Sequence, residues 1–179
     1  IKPKEIYDIG SNVGLSILYF HLKYPDVTLN CYEPCLKTFE VLCKNIHEMK
    51  GMSYEVWRLA VSDKEEFINL YHTGSDVTYC LKEQKDVDFE EVLTVPFNKI
   101  IREKNCIVKI DIEGHEFVLF KNLGGFDRIL KDVCYSIIEF HCIREDLSSL
   151  ILGLKQCQLI DIRQIYSHRK ERTVIVHRY

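Results

Sequence analysis

The sequence predicts an α/β fold built on a mainly parallel sheet, and three observations carry that prediction. Short β-rich runs alternate with helical patterns along most of the 179 residues. A glycine-bearing turn, DIGSNVG at residues 8–14, joins the first such run to the first helical pattern. The last two runs, LIDIRQIY and RTVIVHR, are separated only by Ser167 to Glu171. That gap is too short for a crossover, so these two strands must be antiparallel neighbours.

Each element has its own warrant. EIYDI is the first strand, and from Leu15 the apolar residues Leu15, Leu18, Tyr19 and Leu22 recur at i, i+3, i+4 and i+7. That spacing predicts the buried face of a helix which stops before Pro25 and starts at Gly14. VTLNCYEP is a second strand ending at Glu33, and Pro34 leads into a helix whose stripe is Leu36, Phe39, Leu42, Cys43 and Ile46. YEVWRLAVS is a third strand. Residues 63–105 then break the rhythm with FINLYH, VTYCL and the charged stretch KEQKDVDFEE, which predicts a hairpin-like insertion and a short helix near Phe97 to Arg102. CIVKIDI is a fourth strand, followed by a helix over about Glu116 to Asn122 that Gly124 and Gly125 end. VCYSIIEFH is a fifth strand, and Leu147, Leu150, Ile151, Leu154 and Cys157 mark a further helix before the closing pair. No repeat, low-complexity tract or linker divides the chain, so residues 1–179 are expected to form one domain.

Composition narrows the partners. The net charge is -3, and no long lysine or arginine run offers a track for a nucleic-acid backbone or an acidic lipid surface. No stretch approaches the roughly 20 apolar residues of a membrane-spanning helix. The opening IKPKEIYDIG lacks the apolar core of a secretory signal, so a cytoplasmic location is expected. Eight cysteines are scattered without a C-x-x-C pair, as reduced and mostly buried thiols would be, which argues against zinc.

In a parallel sheet the ligand lies beyond the carboxyl ends of the strands, where strand order reverses. The loop DIGSNVG occupies that position. Gly10 permits a tight turn and close backbone approach, and Gly14 lets the helix start pack near the ligand. Asp8 would repel a pyrophosphate but suits an ammonium group, while a helix start can meet a carboxylate of the same ligand. Glu33 stands about 20 residues on, where an acidic side chain accepts from both ribose hydroxyls. An amino acid joined to a ribose points to S-adenosylmethionine. The plain alternative for Glu33 is a solvated acid before a proline turn.

The stretch VKIDIEGHE, residues 108–116, places Lys109, Asp111 and Glu113 on one face of a strand. Central parallel strands are usually apolar on both faces, so such a row is either paired or part of a site. Glu139 and His141 share a face on the fifth strand and approach the same edge. Methyl transfer to a hydroxyl needs alignment of the acceptor oxygen and removal of its proton. Asp111, Glu139, His141 and His115 are the catalytic candidates, the histidines because they titrate near neutrality. Asp111, Glu139 and His141 could also converge on a cation, although no metal is expected.

DIGSNVG, YEP, LAVSD, VKIDIEGHE and IIEFH, in that order between about residues 6 and 141, resemble the FkbM family of S-adenosylmethionine-dependent methyltransferases. The resemblance implies a Rossmann-like class I methyltransferase fold: a seven-stranded mixed sheet with the last strand antiparallel and helices on both faces. It implies that Asp8, Gly10, Ser11, Asn12 and Gly14 surround the methionine part of the cofactor. Glu33 and Pro34 would then meet the ribose, Ala60, Val61 and Ser62 the adenine edge, and Asp111 the methyl donor. By the same resemblance the acceptor is a hydroxyl of a sugar, a natural product or another small molecule. Two other readings compete. One is a non-catalytic S-adenosylmethionine-binding or interaction module; the other is an NAD-dependent oxidoreductase, which should carry a third glycine at Asn12.

Overall fold

Alternation along the first strand sets the layers of the molecule. In β1 (Glu5–Ile9) Tyr7 and Ile9 turn to one face of the sheet and Ile6 to the other, all fully buried. The computed structural model describes residues 2–72, 79–80, 87–122, 124, 133–141, 159–166 and 172–178. Helices α1 (Leu15–Lys23) and α2 (Leu36–Glu48) lay Ile17, Phe20, Leu42 and Ile46 against the face that carries Ile6. On the opposite face, α3 (Phe97–Ile100) and α4 (Glu116–Asn122) contribute Phe97, Ile100, Leu119 and Phe120 to the cluster around Tyr7 and Ile9. Each such side chain removed from water contributes ~1.5–3 kcal/mol, so these two apolar layers hold the sheet between the helices.

The main sheet contains β2 (Thr28–Tyr32), β3 (Ser53–Trp57), β8 (Cys106–Ile110), β9 (Tyr135–Glu139), β10 (Leu159–Tyr166) and β11 (Arg172–Arg178) as well as β1. Its order is β10-β11-β9-β8-β1-β2-β3. The pairs from β3 through to β9 are parallel, and β11 runs antiparallel to both β9 and β10. The sheet therefore has seven strands and an antiparallel last strand, as expected. Strand order reverses at β1, which has β2 on one side and β8 on the other. That register sets Asp8 opposite Lys109.

Four further strands build a second sheet. It contains β4 (Ala60–Ser62), β5 (Phe67–His72), β6 (Tyr79–Cys80) and β7 (Phe89–Pro96), in the order β4-β7-β5-β6. The expected hairpin is the antiparallel pairing of β5 with β7. The expected third strand YEVWRLAVS is in fact two. It leaves the main sheet after Trp57, because Ala60, Val61 and Ser62 pair in parallel with Thr94, Val95 and Pro96, and Arg58 is tied to Glu90 at 2.7 Å.

Two helix faces also differ from expectation. Leu15, Leu18, Tyr19 and Leu22 point outward from α1, with Leu15 76% and Leu22 75% exposed, while Ile17 and Phe20 are buried. This short helix has apolar residues around most of its circumference, so spacing alone could not choose the face that docks. In α2, Leu42 and Ile46 are buried as the stripe predicts and Phe39 packs against them, whereas Leu36 and Cys43 are exposed and Thr38 is buried instead. The helix anticipated over Leu147 to Cys157 lies outside the described residues. Among the described residues Cys31, Cys35, Cys43, Cys106 and Cys134 are free thiols. No described helix is long and apolar enough to cross a membrane.

Candidate active site at the carboxyl ends of the parallel strands

The loop after β1 is held by its own backbone. Gly10 and Ser11 both donate to the carbonyl of Tyr32 at 3.0 Å, Ser11 Oγ donates to Asp8 O at 2.8 Å, and Gly14 N closes the turn on Ser11 O. Gly10 has φ +82°, and a Cβ there would lie 1.7 Å from the carbonyl oxygen of Asp111, so only glycine lets the two strand ends approach this closely. Asn12 also sits in the left-handed region, at φ +49°, which asparagine tolerates better than most residues. The turn thus forms without the third glycine that a dinucleotide loop would carry.

Asp8 does not line the cavity. It is fully buried, accepts from Ser16 Oγ at 2.6 Å, and has the ammonium of Lys109 3.3 Å from its Oδ1. The same ammonium donates to Gly10 O at 2.9 Å and lies 3.4 Å from Asp111 Oδ2. Burial alone would lower the pKa of Lys109, but the charges of Asp8 and Asp111 outweigh it and hold it above the ordinary value. Asp8 is therefore faced by a lysine of this chain and lies behind the cavity wall.

Glu33 does face the cavity. Its Oε2 accepts from Asn12 N at 2.9 Å, while Oε1 accepts from Cys35 N at 3.0 Å and Thr38 Oγ1 at 2.8 Å. Burial raises its pKa, opposed by these donors. A carboxylate has about four lone-pair positions, so roughly one is left for a ligand hydroxyl rather than the two expected. The cavity wall also carries the apolar residues Pro34, Leu59, Ala60, Val61 and Leu70 and the polar groups of Gly10, Asn12 and Asp111. Ser11 and Gly14 are not on the wall. They shape the loop behind it, and a Cβ on Gly14 would come within 2.9 Å of Leu42.

His141 and Glu139 are not on the wall, but His141 stands beside Asp111, which is. Its Nδ1 is 3.2 Å from Glu116 Oε1, and its Nε2 lies 3.9 Å from Asp111, 3.7 Å from Glu113 and 3.7 Å from Glu139. Burial would lower its pKa, yet the bond to Glu116 and the charges of Glu116, Glu113 and Asp111 push it up to about 9. Asp111, Glu139 and His141 each offer one ligand atom, and these atoms lie within 4.8 Å of one another, close enough for one divalent cation to bridge. His115 lies elsewhere on the cavity wall. Its Nε2 is 2.9 Å from the buried Ser62 Oγ, and burial lowers its pKa. The structure thus gathers Asp111, Glu139 and His141 into one group and sets His115 apart with Ser62. Sequence reasoning missed Tyr32, Leu59 and Leu70 on the wall, and it missed the joining role of Glu116. Leu70 comes from β5 of the second sheet, whose sequence predicts a strand but not the cavity that it lines.

Comparison with known proteins bears on the fold. Methyltransferase 1 of Beauveria bassiana is 23% identical, over 80% of this chain and 70% of that protein. The 31-O-demethyl-FK506 methyltransferase FkbM of Streptomyces tacrolimicus is 36% identical over 67 residues, a stretch covering 36% of this chain and 25% of that protein. The crystal structure of methyltransferase FkbM from Methylobacillus flagellatus superposes with a TM-score of 0.62 at 14% identity, over 98% of this chain and 44% of that one. The chain has the class I methyltransferase fold. The resemblance to FkbM methyltransferases that the motifs carry is borne out by both the sequence and the structural matches. M. capricolum TrmK, solved with S-adenosyl-homocysteine, shares the fold at a TM-score of 0.56 and 12% identity, covering 98% of this chain and 62% of that one. So does an rRNA methylase from Streptococcus thermophilus, at 0.57 and 8% identity, covering 99% and 87%. No protein-family model matches the chain.

Proposed function

We propose that this chain is an S-adenosylmethionine-dependent O-methyltransferase acting on a hydroxyl of a sugar, natural product or other small molecule. The observation that carries the reading is one cavity at the strand-order reversal, lined by Gly10, Asn12, Glu33, Ala60 and Asp111. These residues fit the cofactor. A backbone approach that only Gly10 permits suits the amino-acid part, the remaining lone pair of Glu33 suits a ribose hydroxyl, and the apolar lining of Ala60, Val61 and Leu70 suits a purine. In this reading Asp8 acts through Lys109, Ser11 and Gly14 shape the loop, Ser62 holds His115, and residues 63–105 lend Leu70 to the same catalytic unit.

When bound, the cofactor supplies an electrophilic methyl carbon, whose bond to sulfur breaks as the acceptor oxygen forms its own bond to that carbon. The chain's part is to align the acceptor and take its proton. His141 Nε2, beside Asp111, is the receiving atom once the ring is neutral, so the rate should climb as the pH rises towards about 9, and Asp111 and Glu139 flank it. Asp111, Glu113 and Glu139 also make this mouth acidic, which favours an uncharged polyol over a polyanion such as RNA.

A thermal-shift series and a transfer assay test the proposal. S-adenosylhomocysteine is expected to raise the melting temperature, as any ligand specific to the folded state does, and NAD is not. With methyl-labelled cofactor, label is expected in small polyhydroxylated acceptors. A shift with NAD alone would sink the cofactor assignment, and label appearing in RNA instead would sink the acceptor class.

A further inference from the structure

Glu116 is 1% exposed, although it is a carboxyl-bearing side chain at the start of a helix. An acidic group so buried is tolerated only when its oxygens are well supplied with donors. Here Oε1 accepts from Ile112 N at 2.8 Å and Gly114 N at 3.3 Å, and Oε2 accepts from Gly114 N at 3.1 Å and His141 N at 3.4 Å. The His141 ring completes the set, with Nδ1 3.2 Å from Oε1. One side chain therefore holds both the turn after β8 and the residue after β9.

That turn needs holding. Glu113 lies at φ +52° and Gly114 at φ +99°, and a Cβ on Gly114 would sit 3.6 Å from the carbonyl of His141, so the two segments are packed together. Because Glu116 acts as an acceptor throughout, the proton on the facing ring nitrogen must be on His141 Nδ1. The lone pair of the neutral ring is then on Nε2, the nitrogen that faces Asp111, Glu113 and Glu139.

We propose that Glu116 is the positioning residue of the acceptor side, fixing the tautomer and plane of His141 so that Nε2 faces the acceptor hydroxyl. The role in catalysis rests on the reading that His141 takes the hydroxyl proton. The arrangement itself does not, which makes it testable without turnover.

The test is a pH titration of His141 by nitrogen-resolved NMR on the wild-type chain and on Glu116→Gln, with His141→Gln identifying the signal. In the wild type, the neutral ring above its midpoint is expected to carry its proton on Nδ1. The groups facing the ring are Glu116 from α4, Asp111 and Glu113 from the turn, and Glu139 from β9. Removing only the Glu116 charge should lower the midpoint by about one pH unit or more. With labelled cofactor at a pH above about 9, where the ring is neutral in both proteins, Glu116→Gln should lose roughly tenfold or more in kcat while affinity for S-adenosylhomocysteine stays within about threefold, and it should cost little further in a His141→Gln background. A wild-type ring protonated on Nε2, or a midpoint unmoved in Glu116→Gln, would overturn the proposal, and the first of these needs no Glu116 variant to fold. Lack of cofactor binding, with the Nδ1 tautomer present, would instead count against the methyltransferase reading.

Discussion

Replacing Lys109 with methionine tests the electrostatic centre of the site. The ammonium lies 3.3 Å from Asp8, 3.4 Å from Asp111 and 2.9 Å from the Gly10 carbonyl, in a position with 17% side-chain exposure. At an effective dielectric of about 20, each carboxylate contact is worth about 5 kcal/mol before the cost of desolvating the charges is subtracted. The net effect of deleting one partner of such a buried set is about 3–5 kcal/mol, because Asp8, fully buried, would then be left, among the described residues, with the Ser16 hydroxyl on its side chain. Lys109→Met should therefore unfold at correspondingly lower urea and lower its Tm by about 10 °C. Asp8→Asn in the same background should recover a good part of the loss, since a neutral amide carries no buried charge. S-adenosylhomocysteine should also bind more weakly to Lys109→Met, whose Gly10 carbonyl loses its donor. A loss under about 1 kcal/mol, or no recovery in the double variant, would refute the account of a lysine compensating Asp8.

Three further outcomes are expected. Gly10→Ala places a Cβ 1.7 Å from a backbone oxygen at φ +82°, so it should destabilise the chain by more than the ~1–2 kcal/mol of the left-handed conformation alone and abolish the thermal shift with S-adenosylhomocysteine; a native Tm and a full shift would contradict this. Glu33→Gln weakens a charged acceptor that serves Asn12, Cys35 and Thr38, and calorimetry should find S-adenosylhomocysteine bound about 10–100-fold less tightly; unchanged affinity would remove Glu33 from the site. His141 is raised from 6.5 to about 9 in the folded chain, so its contribution to stability is complete below about pH 6.5 and disappears as the pH rises through about 9. Each pH unit between folded and unfolded titration is worth about 1.4 kcal/mol, which sets a ceiling of about 3 kcal/mol on that loss. Urea melts across this range should show the decline in wild type and a flatter profile in His141→Gln, and parallel profiles would exclude His141 as the source.

The strands of the main sheet and its antiparallel close were legible because each cue was local. Seven β-rich runs, a glycine turn and one short final connection suffice to define a parallel sheet closed by an antiparallel strand. The site was legible only in part. Gly10, Asn12, Glu33, Ala60, Val61 and Asp111 meet around one cavity as the motifs suggested. Asp8 does not join them, because its partner is 101 residues away and set opposite by strand register. The same limit applies to α1, where the docking face was chosen by the sheet rather than by the stripe from Leu15 to Leu22.

The sequence by itself determined the kinds of group available at the sheet's carboxyl edge: a glycine turn, an acid ending the second strand, and paired charges at the ends of two central strands. Those depend on periodicity and turn chemistry, which act over a few residues. Only the tertiary structure decided how the charges were shared out. Lys109 reaches across to Asp8, Ser62 to His115, and Glu116 to His141, because pairing between buried groups depends on distance in space. The requirement to neutralise a buried charge then ties each one to whatever strand register and helix packing bring near it.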